Sequence, residues 1–266
     1  MKFSELTAVA RTSTDEFAVD VDPSSFIVRG PNGGYLAALL LRAMTTRVDE
    51  LDDRPRPPRS LTVHYPRAPV AGPATITTDL VRVGRSLVTC AARLVQDGAI
   101  AVTALGAFSP PWEAVDWQHD TAPEVRGVAD VPYVERPGPS LPFTSYWDHR
   151  FALGAPPFTR AERAVTGGWL RLVDPEPVDA IVVAAMTDAW PPAAFAIVDT
   201  PVPTVDLTIH FRASLPHESL AADDHALVRF VSRTAAEGFV EEDGHVWAPD
   251  GTLLAQSRQL AILLPS

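Results

Sequence analysis

Residues 61–65 read LTVHY and residues 207–211 read LTIHF, each inside a longer similar stretch, PRSLTVHYPRA at 58–68 and TVDLTIHFRA at 204–213. The separation is 146 positions in a chain of 266. Two copies of one strand motif that far apart point to a duplicated unit, and the chain is long enough for two domains of ordinary size. Moving outward, Val81-Arg82-Val83 matches Val228-Arg229-Phe230 at an offset of 147, and Asp97-Gly98 matches Asp250-Gly251 at 153. The order of features is preserved while small insertions accumulate in the turns.

Each copy ends in a strand-rich run, 74–108 and 225–264, with alternating apolar and β-branched residues and an Asp-Gly turn between arms, the signature of antiparallel hairpins. Ahead of each run stands one helix candidate, 34–48 (GYLAALLLRAMTTRV) and 178–190 (VDAIVVAAMTDAW). Both are apolar on nearly every side, so each must be enclosed. The second is rich in Val and Ile, and Asp174-Pro175 before it and Pro191-Pro192 after it supply its start and stop signals. Residues 110–142 carry seven prolines and little periodicity, which marks a linker whose Trp and Tyr residues hold it against the body. The expected domains are 1–109, a linker at 110–143, and 144–266. A central helix wrapped by a curved antiparallel β-sheet, made twice, is an α+β arrangement, the double hotdog.

Composition removes several function classes. Hydrophobic residues make up 46% and charged residues 21%, ordinary globular usage. A net charge of -11 opposes nonspecific binding to nucleic acid or anionic lipid. The one cysteine, Cys90, excludes an intrachain disulfide and a multi-cysteine zinc site, and its place in SLVTCAARL reads as strand core. The apolar stretch 33–44 meets Arg42 after nine residues and falls short of the roughly 20 that a membrane span requires. No apolar core of signal-peptide length opens the sequence, so the expected compartment is the cytoplasm. Neither a G-x-S-x-G elbow, a paired-His metal motif, a phosphate loop nor a dinucleotide fingerprint occurs, and no cofactor or metal is expected.

The stretches DAIVVAAMTDAWPP, PTVDLTIHFRA and DGTLLAQSRQLAIL resemble the C-terminal half of the double-hotdog acyl-CoA thioesterases of the thioesterase II type. GPNGGYLAALLLRAM and RSLTVHYPRAP are similar to that family's N-terminal half. The resemblance covers almost the whole chain outside the linker. It implies hydrolysis of an acyl-CoA to free acid and CoA by an activated water, with the acyl chain in an apolar tunnel between helix and sheet. It also implies a catalytic set of an Asp on the second helix, a Ser or Thr opening the next strand, and a Gln on the last strand, here Asp188, Thr204 and Gln259. Applying the repeat offsets places Asp188 opposite Arg42, Thr204 opposite Pro58 and Gln259 opposite Gly106, so one half alone keeps the set.

Physical reading of these residues adds detail. On a helix, Asp188 shares a face with Ile181, Ala184 and Ala185, a small apolar surround that raises a carboxyl's pKa. It also lies at the helix C-terminus, where the macrodipole disfavours an anion. A hydroxyl from Thr204 and an amide from Gln259 can hold a water beside that carboxylate. Strict alternation puts Thr204 on the strand face away from Leu207, Ile209 and Phe211, so it reaches the helix only if the strand bulges after Pro203. Gly33 and Gly34 can present backbone N–H groups to a polarised thioester oxygen, or serve close helix-to-sheet packing. His64 and His210, repeated at one strand parity, read as structural. Arg82, Arg85, Arg229 and Arg233 are basic groups that could meet CoA phosphates, with ordinary solvated roles as the alternative. A noncatalytic acyl-CoA or lipid-binding protein on the same scaffold is the rival reading, and a hotdog hydratase ranks behind it. Further homo-oligomers are compatible with the duplicated unit and not required.

Overall fold

The computed structural model describes residues 1–28, 30–133 and 141–265. The N-terminal half contains α1 (Phe3–Leu6), β1 (Ala10–Arg11), β2 (Glu16–Val21), α2 (Gly33–Asp49), β3 (Pro58–His64), β4 (Gly72–Val83), β5 (Val88–Gln96) and β6 (Ala99–Phe108). The C-terminal half contains β7 (Trp147–Gly154), β8 (Ala164–Leu172), α3 (Ala180–Met186), β9 (Thr204–Phe211), β10 (Ala226–Ser232), β11 (Ala235–Ala236), β12 (Phe239–Trp247) and β13 (Leu253–Ile262). These strands form one antiparallel sheet in the order β1-β2-β4-β5-β6-β3-β9-β13-β12-β10-β8-β7, with β11 on β12. It is a large antiparallel sheet with few helices.

The two copies of the repeated motif meet each other. β3 and β9 are neighbours, with Leu61 opposite Ile209, Thr62 opposite Thr208 and Val63 opposite Leu207. At the centre of this seam the hydroxyls of Thr62 and Thr208 lie 3.1 Å apart. An antiparallel pair of like sequences brings identical positions together at one point, and here that point is the threonine. His64 stands opposite Asp206 and His210 opposite Ser60, both histidines exposed on the outer face.

Turn chemistry sets the hairpins. Asp97 and Gly98 both have positive φ, 51° and 74°, the two-residue turn whose twist matches the β5–β6 strands. The second Asp-Gly sits in a longer connection between β12 and β13, closed by the Ala248 N–H donating to Thr252 O at 2.9 Å, with Gly251 at φ 88°. That longer loop is one source of the drift in the repeat offset.

The helices differ more than the sequence pattern indicates. α2 runs 17 residues, close to the expected 34–48 and capped by Asn32, whose side chain accepts from Tyr35 N. α3 is 7 residues, shorter than the expected 178–190. Asp179 caps it by accepting from Ile181 N and Val182 N. At its far end the Thr187 hydroxyl donates to Ala184 O and the Asp188 N–H to Ala185 O, tightening the last turn so that the chain leaves the helix before Asp188. The Trp190 indole donates to Thr166 Oγ1 at 2.9 Å and fixes the exit toward Pro191. α2 packs on α3 and on β3, β4, β5 and β6, and α3 also reaches β13. One buried apolar cluster includes residues of both halves, from Phe3 and Leu40 to Val183 and Ala255.

Of the expected linker, residues 134–140 lie outside the described residues. Its earlier part runs over the outer face of the C-terminal strands, where Gln118 bonds Gly251 O and Leu253 N, and the Trp169 indole donates to Arg126 O.

Candidate active site

Asp188 lies past the end of α3 and faces the N-terminus of α2. Its Oδ2 accepts from the Gly34 N–H at 2.8 Å and from Asn32 Nδ2 at 3.2 Å, and Asn32 Nδ2 also donates to the Asp188 backbone carbonyl at 2.9 Å. The sequence pattern sets an anion against the C-terminus of its own helix. In the folded chain it meets the favourable end of another one, where free N–H groups and the macrodipole attract negative charge. Burial dominates all the same. It raises the Asp188 carboxyl to about 6, opposed by the hydrogen bonds from Gly34, Gly33 and Asn32.

The glycines belong to this approach. A Cβ on Gly34 would stand 2.7 Å from Ala185 O and 3.0 Å from Asp188 Cβ, and one on Gly33 would stand 2.9 Å from Asp188 Oδ2. Only a residue without a side chain lets the two helix ends come this close. The Gly34 N–H, read from sequence as a donor for a thioester oxygen, is directed at the carboxylate. Tyr65, just beyond β3, donates its hydroxyl to Gly33 O at 2.9 Å. Its pKa is raised by burial and by the carboxylates of Asp188 and Asp206.

The strands bring the other residues onto one face. Ala255, Ser257, Gln259 and Ala261 of β13 are buried and stand opposite Phe211, Ile209, Leu207 and Thr204 of β9. Between Leu260 and Ala261 the register shifts, so that Val205 is the extra residue on β9. This is the bulge that Thr204 requires: it restores the half-buried Thr204 to the side of Gln259. Gln259 is 5% exposed, and across β12 its partner is Glu242. Glu242 is also buried, and its Oε2 accepts the Ala193 N–H in a short contact. Its carboxyl is pushed up to about 8, first by burial, then by the charges of Asp188, Glu241 and Asp243.

Sequence reasoning misses Asn32, Tyr65 and Glu242. Asn32 is legible as a helix cap, yet its bond to a residue 156 positions away is not. Glu242 carries a readable signal: it shares strand parity with Val240, Gly244 and Val246, all buried, so an ionisable group falls on an inward position.

The first half lacks this chemistry at the matching register. Gly106 stands opposite Leu61 and Cys90, as Gln259 stands opposite Leu207 and Glu242. A Cβ on Gly106 would lie 2.8 Å from Met44 Cε, so Met44 fills the space a side chain would take. Cys90 is fully buried and its thiol is pushed up to about 12 by burial. Arg42 donates to Thr7 Oγ1.

The basic candidates have other partners or are exposed. Arg229 pairs with Asp120 at 3.5 Å and covers the Trp247 ring, Arg233 pairs with Asp243, and Arg82 and Arg85 are exposed. Two clefts, of about 200 Å³ beside Met1 and Asp174 and about 290 Å³ beside His210 and Arg258, do not include Asp188. No helix among the described residues is long and apolar enough to cross a membrane.

A buried acid at the N-terminus of α2 and a buried Gln on β13 stand on a large antiparallel sheet, and comparison with known proteins identifies the family. Residues 22–109 match the family model described as acyl-CoA thioesterase N-terminal domain, and residues 119–263 match the acyl-CoA thioesterase C-terminal domain. The chain belongs to the double-hotdog acyl-CoA thioesterase family and is a thioester hydrolase. Among solved structures it is similar to a conserved protein with hot dog fold from Alicyclobacillus acidocaldarius (27% identity, TM-score 0.90, covering 99% of this chain and 98% of the other). It is also similar to a candidate thioesterase II from Thermobifida fusca (25% identity, TM-score 0.85, covering 99% and 97%). An acyl-CoA thioesterase II from Mycobacterium marinum shares the fold (22% identity, TM-score 0.79, covering 99% of each chain). A search of curated proteins gives no match.

Proposed function

We propose that the chain hydrolyses an acyl-CoA thioester to free acid and CoA, with Asp188 as the base and Thr204 and Gln259 holding the water. One observation carries this reading. A single carboxylate is cradled by the N-terminus of α2, with a carboxyl raised to about 6, close to the pH at which it would work. Asp188 takes a proton from the water as its oxygen adds to the thioester carbonyl carbon. The resulting oxyanion collapses, the carbon–sulfur bond breaks, and the proton on Asp188 passes to the departing thiolate. Gly33 and Gly34 serve this step by fixing the carboxylate, and Tyr65 by bracing Gly33.

The same reading takes the chain as two hotdog repeats, 1–109 and 144–266, joined through 110–143, with the acyl chain lying between helix and sheet. The self-pairing of the repeated motif across β3 and β9 supports a duplication. The test is release of free thiol from a panel of acyl-CoAs, with Asp188→Ala and Asp188→Asn alongside. Asp188-dependent release is expected; acyl-CoA binding with no such release would identify a binding protein instead.

A further inference from the structure

Glu242 is an inward-facing acid on a strand whose other inward residues are Val240, Gly244 and Val246. Its two oxygens are treated differently. Oε2 accepts the Ala193 N–H, whereas Oε1 lies 3.5 Å from Gln259 Nε2, at the outer limit of a hydrogen bond. The remaining polar atom of that amide, Gln259 Oε1, is buried and has no partner. A buried acceptor left unpaired is costly, so two poorly served groups side by side call for a common remedy. One proton supplies it. With Oε2 occupied by a backbone donor, the proton sits on Oε1, and the oxygen and nitrogen of a side-chain amide are close to interchangeable in shape. Turned end for end, Gln259 accepts from the Glu242 acid through Oε1.

We propose that Glu242 is a positioning residue: as the neutral acid it donates to Gln259 Oε1 and thereby directs the Gln259 NH₂ group at the water beside Asp188. The donor chain then runs one way, from Ala193 N–H to Glu242, from Glu242 to Gln259, and from Gln259 to the water. As a carboxylate, Glu242 draws the NH₂ back and presents the water with a carbonyl oxygen, which cannot support its second lone pair. The charges acting on Glu242 favour the proton: Asp188 from the turn after α3, and Glu241 and Asp243 flanking it on β12. Glu241 and Asp243 approach Arg258, and Asp243 also pairs with Arg233. Burial acts in the same direction and is the larger effect. This inference rests on the assignment of Gln259 to the water.

The experiment follows kcat and KM for an acyl-CoA from pH 5 to 10 in the wild type, Glu242→Gln and Glu242→Ala. Glutamine at 242 can accept from Ala193 and donate to Gln259 at every pH, so it stands for the neutral acid. The wild type is expected to lose kcat as pH rises through about 8, Glu242→Gln to lack that alkaline decline, and Glu242→Ala to lose roughly tenfold or more in kcat with little change in KM. An identical alkaline decline in Glu242→Gln, or equal damage in Glu242→Gln and Glu242→Ala, would overturn the proposal. A second readout needs no turnover: the ¹⁵N side-chain amide signal of Gln259, assigned by its loss in Gln259→Leu, should titrate in the wild type and stay fixed in Glu242→Gln. A pH-independent signal in the wild type refutes the coupling. Failure of Asp188-dependent thiol release, with the amide still titrating, refutes the hydrolytic assignment and leaves the Glu242–Gln259 linkage standing.

Discussion

Replacing Asp188 by Asn keeps an oxygen for the Gly34 N–H and removes the group that can take a proton. Turnover is therefore expected to fall by a factor on the order of 10² or more in kcat, measured by thiol release. Stability should move the other way. The folded chain holds the Asp188 proton up to about pH 6, while an unfolded carboxyl releases it near 4. Between those values the folded state binds more protons, so stability declines as pH rises through the window and is level above it. At pH 8 the Asn variant should be more stable by on the order of 1–3 kcal/mol, and the gain should vanish near pH 4, as read from urea unfolding at the two pH values. Gly34→Ala tests the close approach. Its Cβ would press on the backbone oxygen of Ala185, so a loss of about 1–3 kcal/mol together with reduced turnover is expected from thermal unfolding and rate measurements. The sequence singles out Asp188 and Gln259 as candidates through the stretches that resemble the family, and both are enclosed in the folded chain. Asn32 and Tyr65 show no such signal: Asn32 bonds Asp188 from the other half of the chain, and Tyr65 reaches Gly33 across 32 positions of its own half.

At the level of elements, α3 shows where pattern reading fails. The stop signal at Pro191-Pro192 suggests a helix to residue 190, but local bonds from Thr187 and Asp188 end it at Met186. Propensity cannot foresee those bonds, and they decide whether Asp188 faces its own helix or the neighbouring one. A helix this short depends on its cap. Asp179→Ala should cost about 1 kcal/mol in thermal unfolding, and it should also lower kcat, because displacement of α3 carries Asp188 away from Gly34. β9 shows the reverse. Alternation alone assigns Thr204 to the wrong face and identifies the remedy, a bulge, which the register contains at Val205. Regular elements were legible from periodicity, whereas their irregular ends, at Thr187 and Val205, follow from bonds and register that periodicity does not encode.

For the whole molecule, the continuous sheet and shared apolar cluster predict that the halves unfold together. All six Trp residues lie at or beyond position 112, so tryptophan fluorescence reports the linker and C-terminal half, while far-UV circular dichroism reports the sheet throughout. The two urea transitions should coincide; a separate dichroism step would show the N-terminal half acting alone. The repeated strand motif was legible in the sequence, and its two occurrences pair with each other across β3 and β9.

Met44 beneath Gly106 has a numerical consequence. With that recess plugged and a thiol standing at the register where the C-terminal half has an acid, the proposed site at Asp188 is expected to be the single berth for the reactant. An unreactive analogue that seats at Asp188 should saturate the protein at one equivalent per polypeptide in a calorimetric titration, and a stoichiometry of two would mean that the quieter copy also takes a guest.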